Sequence, residues 1–148
     1  MPTADERLPT VLIVEDDPVA LRIYAGALAP AGFDVREASR GAQAVEAASA
    51  EPVGAVLADL GLPDFDGFEV CRQLKLHPRT SHVPVIAITG RAMALRDIEL
   101  AEEVGFYSVL VKPCPPDELV AAVMKALSDP SRPGSVGDRR PPRPRRAP

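Results

Sequence analysis

The chain has 148 residues, 21 acidic and 17 basic, for a formal net charge of −4, a length that fits one ordinary domain and makes two unlikely. Apolar residues make up 46% and charged residues 26%, average globular usage that excludes a wholly disordered chain. No stretch approaches the roughly 18 uninterrupted apolar residues of a membrane span, and Met1-Pro-Thr-Ala-Asp-Glu-Arg7 has acids where a signal peptide carries positive charge, so a cytoplasmic location without membrane attachment is expected.

Residues 1–9 are expected to be a flexible N-terminus. Val11-Leu-Ile-Val14 is then the first of four short apolar runs rich in β-branched residues; the others are Ala55–Ala58, Val83–Ile88 and Val109–Val111. Their length predicts strands, and their lack of alternation predicts strands covered on both faces, as in a parallel sheet between helices. Phe33-Asp-Val-Arg-Glu37 alternates instead and is expected at a half-exposed edge. Helical spacing fills the gaps. Pro18–Ala29 places Ile23, Tyr24, Ala27 and Leu28 on one face, with Asp17 as cap and Pro18 at the first helical position. Gly41–Ala50 is alanine-rich, Gly67–Leu76 aligns Phe68, Cys71 and Leu74, and Ala92–Val104 aligns Leu95, Ile98 and Ala101. Pro116–Leu127 carries Leu119, Val120, Val123, Met124 and Leu127, with Asp117 and Glu118 in the first turn, where the helix dipole favours them.

Five β-α repeats over residues 10–127 predict an α/β fold, a doubly wound five-stranded parallel sheet with right-handed crossovers. Strand order 2-1-3-4-5 puts the alternating strand at an edge. Residues 128–148 hold six prolines and six arginines against Asp129 and Asp138. That tail is +4 and leaves −8 on the rest; its only larger aliphatic residue is Val136, so it is expected to be disordered. Cys71 and Cys114 are the only cysteines, too few for a disulfide framework or a four-ligand zinc site, and are expected reduced and buried.

In a doubly wound sheet, sites form beyond the carboxyl ends of the strands. Here those ends read Glu15-Asp16-Asp17, Asp59, Thr89-Gly90 and Lys112-Pro113. Glu15, Asp16 and Asp59 would gather three negative charges; at an effective dielectric near 20, each pair about 4 Å apart costs roughly 4 kcal/mol. Either some of them protonate or a cation sits among them, and hard carboxylate oxygens suit Mg²⁺ or Mn²⁺. A divalent cation, the Lys112 ammonium and the Thr89 hydroxyl around one carboxylate form a clamp for a phosphoryl group on that carboxylate. Asp17 serves as a helix cap only.

These segments resemble the receiver domain of two-component response regulators. The pieces are Val11-Leu-Ile-Val-Glu-Asp-Asp-Pro18, Asp59-Leu-Gly-Leu-Pro-Asp-Phe-Asp-Gly67, Pro84-Val-Ile-Ala-Ile-Thr-Gly90 and Val111-Lys-Pro113, in order over residues 10–127. The resemblance implies a flavodoxin-like receiver fold with Asp59 as phospho-acceptor. It implies Mg²⁺ held directly by Asp16, with Asp59 and the Gly61 carbonyl as further ligands and Glu15 acting through water or by a supporting contact, and Thr89 and Lys112 binding phosphoryl oxygens. The Lys112–Pro113 bond is expected cis, and Asp66-Gly67 is expected to shape the loop that starts the third helix. Gly61 and Arg91 border the hydrolytic water's path. The implied partners are a sensor histidine kinase or phosphotransfer protein and an output protein docking on the helix 4–strand 5–helix 5 face. The chain is expected to be a phosphorelay component rather than a turnover enzyme, and no DNA-binding domain is expected after residue 127. One departure is Val109, three before the lysine, where the family usually has an aromatic switch; Tyr107, at the same strand parity, is the candidate replacement.

Three rival readings are open to particular residues. A haloacid-dehalogenase-type phosphatase wants a second acid two residues after the nucleophile, where this chain has Gly61. A flavin site wants a Ser/Thr/Gly-rich loop after the first strand, where this chain has acids. A pseudo-receiver that binds partners without phosphorylation would not need the intact acceptor set. Within the family, the chain is either a stand-alone receiver or a fragment of a hybrid kinase.

Overall fold

The computed structural model describes residues 9–62, 67–90 and 95–129, with the backbone alone at 95–97. Element order is β1 (Thr10–Val14), α1 (Pro18–Leu28), β2 (Asp34–Ala38), α2 (Gly41–Ala50), β3 (Ala55–Asp59), α3 (Gly67–Leu76), β4 (Val85–Thr89), α4 (Leu95–Val104), β5 (Ser108–Val111) and α5 (Pro116–Ser128). The five strands are parallel in order β2-β1-β3-β4-β5, as the sequence pattern requires. Of the predicted tail, Ser128 instead ends α5 and Asp129 caps it; residues 130–148, residues 1–8 of the predicted flexible N-terminus, and residues 63–66 and 91–94, with Asp66 and Arg91, lie outside the described residues.

The uninterrupted apolar strands have a direct cause. Alternate residues of β1 and β3 face opposite layers, and both layers are helical. Leu12, Val14, Val56 and Ala58 pack with Val70, Leu74 and Ala101 under α2, α3 and α4. Val11, Ile13, Ala55 and Leu57 pack with Leu28, Leu119 and Val123 under α1 and α5. Each valine, leucine or isoleucine among them contributes about 1.5–3 kcal/mol on full burial. Helix ends follow from local chemistry. The Asp17 side chain accepts from the Val19 N–H (3.2 Å) and Pro18 opens α1. Gly105, at φ +113°, closes α4 while the Phe106 N–H returns to the Ala101 carbonyl, a left-handed position that favours glycine.

Four expectations need correction. Val109–Val111 was expected buried on both faces, but β5 is the second edge of the sheet and Val111 is 48% exposed. Ile23 was grouped with the core face of α1, yet it is 51% exposed, while Tyr24 and Leu28 alone are fully buried on that helix. Cys114 is only partly buried, unlike Cys71; both are free thiols. Tyr107 precedes β5 instead of sharing its alternation: it packs in the α1/α5 layer, whereas Val109 packs in the α2/α3/α4 layer. The Tyr107 hydroxyl donates to Asp129 Oδ2 at 2.5 Å.

Candidate functional site

The parallel register brings the chemistry to one rim. Val14 pairs with Ala38 and Ala58, Asp59 with Ile88, and Thr89 with Val111, so all five strands end nearly level. Backbone hydrogen bonds then continue past those ends: Glu15 N–H to the Ala38 carbonyl (2.9 Å), Leu60 N–H to Ile88 (3.0 Å) and Lys112 N–H to Thr89 (2.7 Å). Glu15 and Lys112 are thereby held by the ladder itself.

Asp59 is the centre. Lys112 Nζ lies 3.1 Å from Glu15 Oε1 and 3.2 Å from Asp59 Oδ2, bridging the first and third strands from the fifth. The Gly61 N–H donates to Asp59 Oδ1 at 2.9 Å, and the Asp16 N–H to Glu15 Oε2 at 3.1 Å. Glu15 is 1% exposed, whereas Asp16 is open to solvent. Carboxylate oxygens of Glu15, Asp16 and Asp59 come within 4.8 Å of one another. Three hard oxygen donors from two strand ends, one buried and one facing water, fit a small divalent cation that keeps part of its hydration shell. Thr89 is buried at the end of β4, and its hydroxyl has no hydrogen-bond partner among the described residues. The Lys112–Pro113 peptide is cis.

The three acids do not share charge evenly. Burial, reinforced by a hydrogen bond with Asp59, pushes the Glu15 carboxyl up from 4.5 to about 7 despite Lys112. Burial also acts to raise Asp59. The hydrogen bonds from Glu15 and the Gly61 N–H and the charge of Lys112 outweigh it, and Asp59 is held below the usual carboxylate value. Burial works against the Lys112 ammonium, but its two carboxylate partners outweigh that and hold its pKa above the ordinary lysine value. Without a metal ion Glu15 is thus the more readily protonated of the pair, and Asp59 stays ionised beside a fixed cation.

Gly67 explains the Asp-Gly pair. A Cβ there would lie 2.6 Å from the Asp59 carbonyl oxygen and 3.0 Å from Leu60 Cα. The start of α3 therefore rests directly on the backbone that carries Asp59, and the Gly67 N–H donates to the Leu60 carbonyl. The structure brings Glu15, Asp16, Asp59, Gly61 and Lys112 together and places Thr89 on the adjoining strand end. Sequence reasoning missed one neighbour, Tyr24, which it read as core. Its ring is buried, but with Ala20, Ile23, Lys112, Pro113 and Cys114 it lines a hollow of about 550 Å³ beside the site. Burial pushes its phenol pKa up. Its place on a helical apolar face carried no signal of this.

Comparison with known proteins agrees with this geometry. The profile described as "Response regulator receiver domain" matches residues 11–124. The transcriptional regulatory protein GltR of Pseudomonas aeruginosa is 36% identical over 118 residues, 80% of this chain and 48% of its own length. The signal transduction histidine-protein kinase BarA of Escherichia coli is 33% identical over 121 residues, 80% of this chain and 13% of its own. The chain thus spans about half, or less, of these curated relatives. Among solved structures, a response regulator from Chloroflexus aurantiacus is 30% identical with a TM-score of 0.77, covering 82% of this chain and 98% of that one. The receiver domain of a sensor histidine kinase from Pseudomonas aeruginosa, described with a magnesium ion coordinated in the active site cleft, is 30% identical with a TM-score of 0.74, covering 80% and 97%.

Proposed function

Since this chain belongs to the response regulator receiver domain family, we propose that it accepts a phosphoryl group on Asp59 from a phosphohistidine of a partner kinase or phosphotransfer protein and signals through altered docking. The observation that carries this reading is the Lys112 ammonium bonded to both Glu15 and an ionised Asp59. An Asp59 carboxylate oxygen attacks phosphorus as the P–N bond breaks, its electron pair returning to the imidazole, and an acyl phosphate forms. Lys112 and the Thr89 hydroxyl take the phosphoryl oxygens, where charge spreads in the transition state. Water later attacks phosphorus, releasing inorganic phosphate and restoring the carboxylate. The chain is a phosphoryl carrier, not a turnover enzyme, and its setting is the cytoplasm.

Glu15, Asp16, Asp59 and the Gly61 carbonyl would hold Mg²⁺. When bound it supplies positive charge to the phosphoryl oxygens. Accepting the ion takes the Glu15 proton out of the site, so its affinity rises with pH.

The output partner docks on the face of α4, β5 and α5. Among the described residues, each of these elements exposes a large apolar side chain, with Leu100 43%, Val111 48% and Met124 41% exposed. The test of acceptor chemistry is incubation with acetyl phosphate and Mg²⁺ followed by intact mass. One added phosphoryl group, stable in acid and labile in base, is expected, and Asp59→Asn should take none. Full labelling of Asp59→Asn would assign the chemistry elsewhere. Absence of labelling from acetyl phosphate and from a phosphohistidine donor alike would favour the pseudo-receiver reading.

A further inference from the structure

We propose that the hollow between α1 and the segment following β5 is a binding site for a small, neutral, largely aromatic or aliphatic molecule bearing one hydrogen-bond acceptor. Its volume of about 550 Å³ falls within the range of small-molecule sites. Ala20, Ile23, the Tyr24 ring and Pro113 form apolar walls, and Ile23 stands half in water at the lip. Tyr24 is 5% exposed, and its hydroxyl has no hydrogen-bond partner among the described residues. A phenol set among apolar walls ordinarily finds a partner, and an acceptor seated in the hollow would supply one.

The other polar groups on the wall are engaged. The Cys114 thiol points to the Pro115 carbonyl, with Sγ 3.7 Å from its oxygen, and Lys112 is held by Glu15 and Asp59. Among the six lining residues, the phenol is therefore the donor left for a ligand. Charge selects further: Glu15, Asp16 and Asp59 cluster beside Lys112, and an anion would meet them. A neutral carbonyl on an apolar ring matches both requirements.

The test is an NMR titration of the full chain, without Mg²⁺ or phosphoryl donor, with acetophenone and in parallel with ethylbenzene, which has a similar shape and no acceptor. Saturable amide shifts are expected at Ala20, Ile23, Tyr24, Lys112 and Cys114, with acetophenone about fivefold tighter, the scale of one net hydrogen bond. Tyr24→Phe should remove that preference and leave ethylbenzene unaffected. Should Tyr24→Phe not fold, Ile23→Lys at the exposed lip should block both probes. Shifts that do not saturate, equal affinity for the two probes in the unmodified chain, a preference that survives Tyr24→Phe, or binding undiminished in Ile23→Lys would each overturn the proposal.

Discussion

Replacing Glu15 with glutamine tests the charge division at the heart of the site. In the folded, metal-free chain the Glu15 carboxyl is raised to about 7 from 4.5, first by burial and then by its hydrogen bond with Asp59. The folded state therefore binds more protons than the unfolded state between those two values, and stability must fall as pH rises through that window. A shift of that size corresponds to about 3 kcal/mol, fully present below pH 4.5 and lost above pH 7, of which about 2 kcal/mol lies between pH 5 and pH 7.5. Glutamine keeps the shape and the hydrogen-bonding capacity of the protonated acid but cannot ionise. Urea unfolding in EDTA at several pH values should show the unmodified chain losing about 2 kcal/mol from pH 5 to pH 7.5 relative to Glu15→Gln, a change of about 1 M in relative midpoint for a typical urea dependence. Asp59 and Lys112, whose pKa values depend on Glu15, are shifted away from this window, one downward and one upward, and the remaining groups are common to both chains and cancel in the difference. Adding Mg²⁺ should stabilise the unmodified chain more at pH 7.5 than at pH 5, because the ion takes the carboxylate form. Parallel pH profiles for the two chains would refute the argument, since they would mean that Glu15 is ionised in the resting site despite its burial.

Lys112→Met removes the cation that both carboxylates share, so the Glu15 carboxyl should titrate above 7 and labelling by acetyl phosphate should slow; carboxyl-carbon NMR and intact mass measure the two effects. Gly67→Ala places a methyl group 2.6 Å from the Asp59 carbonyl oxygen, and backbone must move to admit it; overpacking of this kind costs about 1–3 kcal/mol, and calorimetry should show the transition lowered by several degrees. Tyr107→Phe deletes the hydroxyl that donates to Asp129 and should cost about 1 kcal/mol, with acetyl phosphate labelling at Asp59 unchanged in rate.

The sheet was legible because burial on both faces leaves no freedom in composition. Leu12, Val14, Val56 and Ala58 meet one helical layer and Val11, Ile13, Ala55 and Leu57 the other, so every position must be apolar and the runs stand out. The site was legible for a related reason: parallel strands of equal reach deliver whatever follows them to one rim, and acids, a hydroxyl and a lysine directly after apolar runs have no core to satisfy. Edge positions were less legible. Val109–Val111 has the composition of a central strand, yet among the described residues nothing pairs beyond it in the sheet order, and composition cannot report a missing neighbour. Ile23 shows the same limit on a helix. Its spacing matches the buried stripe of Tyr24 and Leu28, but the stripe is wider than the surface α5 covers. Lys75 stands in the last turn of α3, where a lysine ordinarily meets solvent and the helix dipole. Its ammonium instead bonds the carbonyls of Ser81 (3.2 Å) and Val83 (2.6 Å) in the segment that leads into β4, a contact that helical periodicity does not encode.

The layers also decide how a change at Asp59 can leave the site. Val109 lies in the α2/α3/α4 layer, the side on which the family's aromatic switch was sought, and its χ1 is stiff and its reach short. Tyr107 has the reach, but it packs in the opposite layer and its hydroxyl is bonded to the end of α5, so it cannot stand in for that ring without breaking this contact and crossing the sheet edge. The remaining direct link is Thr89, whose carbonyl holds the Lys112 N–H at 2.7 Å and whose hydroxyl has no partner among the described residues. A phosphoryl group on Asp59 gives that hydroxyl an acceptor, so β4 and the chain beyond it should move while β5 follows through Lys112. Thr89→Ala removes the hydroxyl and keeps the ladder bond, whereas Val109→Ala only trims packing. Beryllofluoride should therefore shift amides of α4 in Val109→Ala as in the unmodified chain, and far less in Thr89→Ala. If the largest distant shifts instead fell on Tyr107 and Asp129, the signal would run through the α1/α5 layer and the route through Thr89 would be wrong.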